Sequence, residues 1–274
     1  MIESILLTSA FIYLLLASIN DIKHRFVHDY LTYSFGALFL ILRLILFFET
    51  SNPAQLGFIL YALPTLGISF ILYKLGAWGG GDLKLLTALS IGIPYFSTDS
   101  VLPFYANFLS NAVIAGMIFS ILWALYLILK NLKKVSRKIK KTDVFVMLAS
   151  VIISIILLFQ NNLYKIFSIL FLFLPVTYLA KKVENEIQTV NKKVSALEEG
   201  DWIINDIKIG GHVIKKKPTG LSKKDIMLLQ KSGKKIIQIR DGIPFVPSFL
   251  IALIATVIYG NIIYNFVQNM ITSI

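Results

Sequence analysis

Cysteine is absent from the 274 residues of this chain, and charged residues are scarce. Without cysteine, the chain can form neither a disulfide framework nor a zinc site with thiolate ligands. Charged residues make up 15% of the chain and apolar residues 56%, whereas soluble domains average about 25% charged and roughly 45–50% apolar residues. Together with a mean hydropathy of +0.74, this composition excludes an ordinary soluble enzyme and indicates a membrane protein.

Acidic residues are the scarcer of the charged residues. The chain has 15 Asp and Glu and 27 Lys and Arg, which gives a formal net charge of +12. A protein that binds nucleic acid spreads such a charge over a soluble face. Here long runs without any charge dominate the sequence. We therefore expect membrane lipid, and not nucleic acid, as the partner of this positive charge.

Eight apolar runs approach the roughly 20 residues that a membrane-spanning helix needs. The first run has no basic segment before it and no small-residue cleavage site after it, so we expect a retained span and not a signal peptide. The sequence thus predicts an all-α polytopic membrane protein with about eight transmembrane helices. The runs are Ile2 to Asn20, Tyr30 to Phe48, Ala54 to Tyr73, Leu83 to Phe96, Val101 to Leu129, Val144 to Phe159, Leu163 to Ala180 and Pro247 to Val267.

Lys and Arg are distributed unequally between the two sides that eight alternating spans define. Eleven fall in the short loops of one side, and two fall near the other side. Because short cytoplasmic loops carry the excess of positive charge, the first side is predicted to be cytoplasmic. With an even number of spans, both termini are expected outside.

A polar segment, residues 181–243, divides the helical domain of residues 1–180 from the final span within residues 244–274. Alternation around Gly210-Gly211 predicts a β-hairpin, Ser222 and Gly233 mark the start and end of a helix, and a last strand follows at 236–239. We expect a small α+β cytoplasmic module. Its first part has an apolar stripe that predicts a helix continuing the seventh span, formed by Val183, Ile187, Val190, Val194 and Leu197.

Two aspartates adjoin predicted spans at the same membrane face. Asp21 follows the first span, and Asp82 precedes the fourth, at the end of Gly79-Gly80-Gly81-Asp82. Ionisable residues at membrane depth are costly and are functional hypotheses by default. Close carboxylates share one proton, so one can act as general base toward water while the other hydrogen-bonds a peptide carbonyl. Such hydrolysis needs neither a metal nor a cofactor.

The three glycines before Asp82 allow conformations with positive φ angles and let a substrate backbone approach closely. Structural roles are open for both aspartates. Asp21 could cap a helix end or pair with Lys23 or Arg25, and Asp82 could be a helix N-cap.

At these residues the sequence resembles the type IV prepilin and archaeal preflagellin peptidases, membrane aspartic proteases named for the motif Gly-x-Gly-Asp. The likeness covers about the first 130 residues well. It lies in Gly79-Gly80-Gly81-Asp82 with its continuation Leu83 to Leu86, in the basic stretch Asp21 to Leu31, and in Gly242 to Pro247 before the last span.

The resemblance implies that Asp21 and Asp82 are the catalytic pair. It also implies that the substrates are pilin-like or archaellin-like precursors, whose short basic leader peptides are cut at the cytoplasmic membrane face. Bacterial relatives carry a cysteine-rich zinc loop, so the absence of cysteine fits the archaeal type. The chain departs from the six-span archaeal pattern, because residues 144–180 form two additional predicted spans.

Other polar residues invite weaker hypotheses. Asp29 is a possible third acidic residue or a helix N-cap, and Lys84 either influences Asp82 or anchors the helix at the interface. Arg43 is expected to extend toward the membrane surface, with a buried pair as the alternative. The three histidines lack the spacing of a metal site.

Two other functions are compatible with these residues. A presenilin-type intramembrane protease shares Gly-x-Gly-Asp, although both aspartates here fall at span ends and a Pro-Ala-Leu motif is missing near the last span. A proton-coupled transporter could use Asp82 as its relay.

Overall fold

The apolar runs of the sequence form helices, because a helix satisfies its backbone N–H and C=O groups internally in an apolar medium. A computed structural model of the protein describes residues 2–76, 78–93, 102–160 and 162–272. The described helices are α1 (Ile2–His24), α2 (Asp29–Thr50), α3 (Ile59–Lys74), α4 (Gly80–Gly92), α5 (Phe104–Lys130), α6 (Leu132–Ser136), α7 (Lys141–Leu158), α8 (Asn162–Ile187), α9 (Lys223–Lys231), α10 (Val246–Tyr259) and α11 (Ile262–Thr272).

Five helical segments among the described residues are long and apolar enough to cross a membrane, and α10 with α11 adds a sixth if this pair, bent by 47°, is one span. At most 33% of any of the five is buried inside the protein. Large apolar side chains such as Leu60, Val113 and Phe145 are exposed, as lipid contact requires. The chain is a multi-pass helical membrane protein, and these segments do not confirm the predicted count of eight.

The predicted fourth span is a short helix. α4 has 13 residues and is about 20 Å long, whereas the hydrocarbon core is roughly 30 Å thick. Residues 94–96 of the predicted run lie outside the described residues. α4 packs against α1, α2 and α3, and its buried Leu85, Leu86 and Leu89 belong to the largest apolar core. This short helix therefore lies among longer ones.

The last apolar run is bent. α10 ends at Tyr259, the next residue Gly260 has a φ of +64°, and α11 continues in a new direction. Asn111 of α5 fixes the break, because its amide donates to Thr256 Oγ1 at 2.9 Å and to the Gly260 carbonyl at 2.7 Å. The bend is thus hydrogen-bonded to α5, against which α10 packs.

The segment before α10 has its own apolar core, formed by residues such as Val194, Ile203, Leu229 and Ile239. It contains β1 (Thr189–Lys193), β2 (Trp202–Ile203), β3 (Ile207–Ile209), β4 (His212–Ile214) and β5 (Ile236–Arg240). β5 lies between β1 and β2 and is antiparallel to both, while β3 and β4 form a separate hairpin. The predicted hairpin at Gly210-Gly211, the last strand and the helix start at Ser222, whose hydroxyl accepts the Asp225 N–H, are confirmed.

The predicted helix along the Val183 to Leu197 stripe is wrong beyond Ile187. α8 ends at Ile187, and β1 follows, with Val190 opposite Ile239. Val194 and Leu197 are buried in the core of the module instead. The spacing of the stripe fits a helix, but pairing with β5, almost 50 residues later in the chain, determines the structure.

Candidate active site

Asp21 lies in the last turn of α1 and is only 7% exposed. Its Oδ2 accepts a hydrogen bond of 2.9 Å from the backbone N–H of Val246, the first residue of α10. The positive end of the α10 dipole therefore faces this carboxyl group. Asp21 does not cap its own helix, and the side chain that closes the C-terminus of α1 is Arg25, which donates to the Ile22 carbonyl at 2.9 Å.

Asp82 lies in the first turn of α4 and is half-buried. Its Oδ2 accepts the backbone N–H of Gly79 at 3.0 Å. Gly79 occupies the N-cap position, and Asp82 satisfies a free donor of that helix end from within the first turn. The predicted N-cap role of Asp82 is thus wrong in position, although the side chain does stabilise the start of α4.

The structure brings the two carboxyl groups to one place. A β-carbon built on Gly81 would lie 3.8 Å from Cβ of Val27, so the start of α4 meets the chain just beyond α1. The carboxyl group of Asp21 is close enough to act electrostatically on Asp82. Each carboxyl accepts a backbone N–H from a helix N-terminus, that of α10 for Asp21 and that of α4 for Asp82. A positive helix end therefore faces each of the two acidic groups.

Gly79, Gly80 and Gly81 do not use the positive φ angles that glycine allows. Gly79 has φ of −76° and ψ of 159°, an extended conformation open to any residue, and the two following glycines are helical. What Gly79 supplies is space. A β-carbon there would lie 3.3 Å from Oδ2 of Asp82, so a side chain would press on the carboxylate.

Asp29 and Lys84 form an ion pair of 2.6 Å between the start of α2 and the first turns of α4. Both side chains are partly exposed, 51% for Asp29 and 37% for Lys84. The N-cap position of α2 is His28, so the N-cap interpretation of Asp29 is wrong. The pair joins α2 to α4 two residues after Asp82.

Arg25 is a residue near the site whose role the sequence did not reveal. Its φ is +58°, which is uncommon for a residue other than glycine. The guanidinium group lies 4.8 Å from the centroid of the Trp123 ring in α5, and its Nε is 3.6 Å from Oδ1 of Asp241. Arg25 therefore connects the end of α1 to α5 and to the segment that leads into α10, and its Nη1 also donates to the Asp21 backbone carbonyl at 3.3 Å.

Within the part of the chain that the structure describes, no three His, Asp or Glu side chains are grouped as metal ligands. His28 instead stacks on Tyr30, with 5.2 Å between the ring centroids.

Comparisons with known proteins give two matches. The sequence profile of the type IV leader peptidase family matches residues 8–158, a stretch that contains both Asp21 and Asp82. A curated prepilin peptidase, EppA of Methanothermobacter thermautotrophicus, is 30% identical over 141 residues, and this match covers 44% of the chain. The match spans only 36% of the length of that relative. No solved structure matches the chain.

Proposed function

The chain belongs to the type IV leader peptidase family, and on this premise we propose that it is a membrane-embedded aspartic endopeptidase that uses Asp21 and Asp82 as its catalytic pair. The observation that carries this proposal is that each carboxyl group lies at a helix N-terminus, Asp21 at α10 and Asp82 at α4, while the start of α4 packs against the chain just beyond α1.

In the proposed reaction, the ionised carboxylate of the pair takes a proton from a water molecule, whose oxygen attacks the scissile carbonyl carbon. The protonated partner hydrogen-bonds the carbonyl oxygen, and the two helix N-termini favour the negative charge that develops there. The peptide C–N bond then breaks as a proton passes to the leaving nitrogen. One water is consumed, and the pair returns to its shared-proton state.

The proposed substrates are pilin-like or archaellin-like precursors with short basic leader peptides. The name of the curated relative, a prepilin peptidase, supports this substrate class. We place the active site at the cytoplasmic face, because the short loops beside Asp21 and Asp82 belong to the side that is rich in Lys and Arg. This orientation follows from the eight spans that the sequence predicts, and it places both termini outside. A precursor inserted with its basic leader in the cytoplasm would present its cleavage point at the same depth.

We further propose that residues 1–180 form the catalytic membrane domain, that residues 181–243 form a cytoplasmic module, and that residues 244–274 provide the last span. The module is close to the site. A β-carbon on Gly76, three residues before Gly79, would lie 2.9 Å from Cβ of Pro218. Asp29 and Lys84 are assigned an accessory role, the joining of α2 to α4.

Cleavage of a precursor by the purified chain in liposomes tests this function. We expect one cut between the leader and the apolar segment, located by N-terminal sequencing of the product. A cut inside the apolar segment would favour the presenilin-type alternative, and pH-dependent solute flux without cleavage would favour the transporter. Either result would contradict the proposal.

Gly79→Ala is expected to lower the cleavage rate about tenfold, because small displacements of catalytic groups are costly and the added methyl group would lie 3.3 Å from Oδ2 of Asp82. Gly67→Ala is the matched control, since nothing lies within 4 Å of its β-carbon. Initial rates on one precursor compare the two variants. Equal losses would show that the space at Gly79 has no special importance.

A further inference from the structure

Arg43 is completely buried, although it lies within the apolar helix α2. Its Nε donates to the Ile91 carbonyl at 2.9 Å, and its Nη2 donates to the Ile93 carbonyl at 3.0 Å. Its Nη1 is 3.5 Å from Oε1 of Gln55. The expectation that Arg43 extends toward the membrane surface is therefore wrong. The guanidinium group binds the C-terminal end of α4.

The end of α4 needs such a partner. The last carbonyl groups of any helix lack N–H donors within the helix, and leaving them unpaired in an apolar medium is costly. Arg43 lies seven residues before the end of α2, or about 10 Å along the helix, so α4 ends well inside the bundle. A cation also interacts favourably with the negative end of the helix dipole.

The approach of α4 to α2 is close at this end. A β-carbon on Gly92 would lie 2.6 Å from atoms of the Phe39 ring, and Phe39 precedes Arg43 by one helical turn on α2. Because Gly92 has no side chain, the last turn of α4 can lie against Phe39 and present the Ile91 and Ile93 carbonyls to Arg43.

We propose that Arg43 is a positioning residue that fixes α4 along its own axis and thereby sets the depth of Asp82 relative to Asp21. α4 is a rigid helix of 13 residues with Arg43 at one end and Asp82 in the first turn of the other. If the capped end shifts, the carboxyl group moves with it. An effect of Arg43 on the cleavage rate rests on the proposed function, but the position of α4 can be measured without any cleavage assay.

Cysteine cross-linking measures that position, because the natural chain has no cysteine that could interfere. The β-carbons of positions 27 and 81 would lie 3.8 Å apart, and those of positions 36 and 88 would lie 3.6 Å apart. Both distances fit a disulfide, in which the β-carbons are about 3.5–4.5 Å apart. The pair Val27→Cys/Gly81→Cys reports on the Asp82 end of α4, and Gly36→Cys/Ala88→Cys reports on its register against α2.

Arg43→Met in the full chain is expected to slow oxidative cross-linking of both pairs at least fivefold. In the cysteine-free background it is expected to lower precursor cleavage at least tenfold, as displacement of a catalytic group predicts. The cross-linking and cleavage rates of Arg43→Lys should lie between those of Arg43→Met and of the natural chain, because one ammonium group replaces two directed donors. Arg137→Met is the matched control, since Arg137 is exposed, and both rates should be unchanged.

Gly92→Ala keeps the proposal testable if Arg43→Met fails to fold, which size-exclusion chromatography would reveal. Its methyl group should push α4 away from Phe39 and slow the same cross-links with the charge intact. Unchanged cross-linking in folded Arg43→Met, or in both Arg43→Lys and Gly92→Ala, would overturn the proposal, whatever happens to cleavage. If Arg43→Met slows cross-linking but the natural chain cleaves no precursor, Arg43 is still a positioning residue. Only the proposed function is then refuted.

Discussion

Asp82→Asn and Asp21→Asn are each expected to lower the rate of precursor cleavage at least about a thousandfold, because each change removes both proton transfer and the shared proton of the pair. An amide cannot take a proton from water at neutral pH. The two losses should be similar in size and should appear in kcat, since the affected interactions belong to the transition state.

The same substitutions should leave the fold intact. The amide oxygen of Asn can still accept the Gly79 N–H at position 82 and the Val246 N–H at position 21. Asp29→Asn is the matched control, because it breaks the exposed ion pair with Lys84, and such pairs contribute about 0–1 kcal/mol. We expect its cleavage rate to stay within about threefold of the natural chain. Full processing by either Asp21→Asn or Asp82→Asn would leave only the structural roles for the two aspartates.

Gly116→Ala is expected to lower cleavage about a hundredfold, through a displacement of the start of α10. Gly116 lies in α5, and a β-carbon there would come within 2.5 Å of Cζ of Phe245. The Phe245 ring cannot move away freely, because it packs edge-on against Phe249 with 5.3 Å between the centroids. The displacement should reach the next residue, Val246, whose N–H holds Asp21.

A second substitution separates this explanation from general destabilisation of α5. Leu at position 245 lacks the outermost ring atom, so Gly116→Ala/Phe245→Leu should recover most of the activity that Gly116→Ala loses. Gly67→Ala adds the same methyl group to α3, where nothing lies within 4 Å, and should have no effect. A loss that Phe245→Leu fails to reverse would show that contact with the start of α10 is not the cause.

The local parts of the site were predictable from the sequence. Few ionisable residues adjoin the apolar runs, so Asp21 and Asp82 stood out, and a helix was expected directly after Gly79-Gly80-Gly81-Asp82. The hairpin around Gly210-Gly211 and the helix start at Ser222 were also predictable, because turn and capping residues act on their immediate neighbours.

Contacts between distant parts of the chain were not predictable. Val246 donates to Asp21 across 225 positions, and the only signal for it was the run Gly242 to Pro247, whose likeness to archaeal peptidases suggested no contact. Arg43 was expected at the membrane surface because hydropathy treats each helix alone, and the shortness of α4 creates the need for its charge. The stripe that ends at Leu197 satisfied a helical period, but β5 competes for the same residues.

The most direct test of the paired aspartates is the single-turnover cleavage rate of one precursor by Asp21→Asn, Asp82→Asn and the double variant. When two groups act as one unit, removing either one already abolishes the contribution of both. We therefore expect the double variant to be no slower than either single variant. If the double variant instead shows the product of the two single losses, or if one single variant cleaves at the rate of the natural chain, Asp21 and Asp82 do not form one catalytic pair.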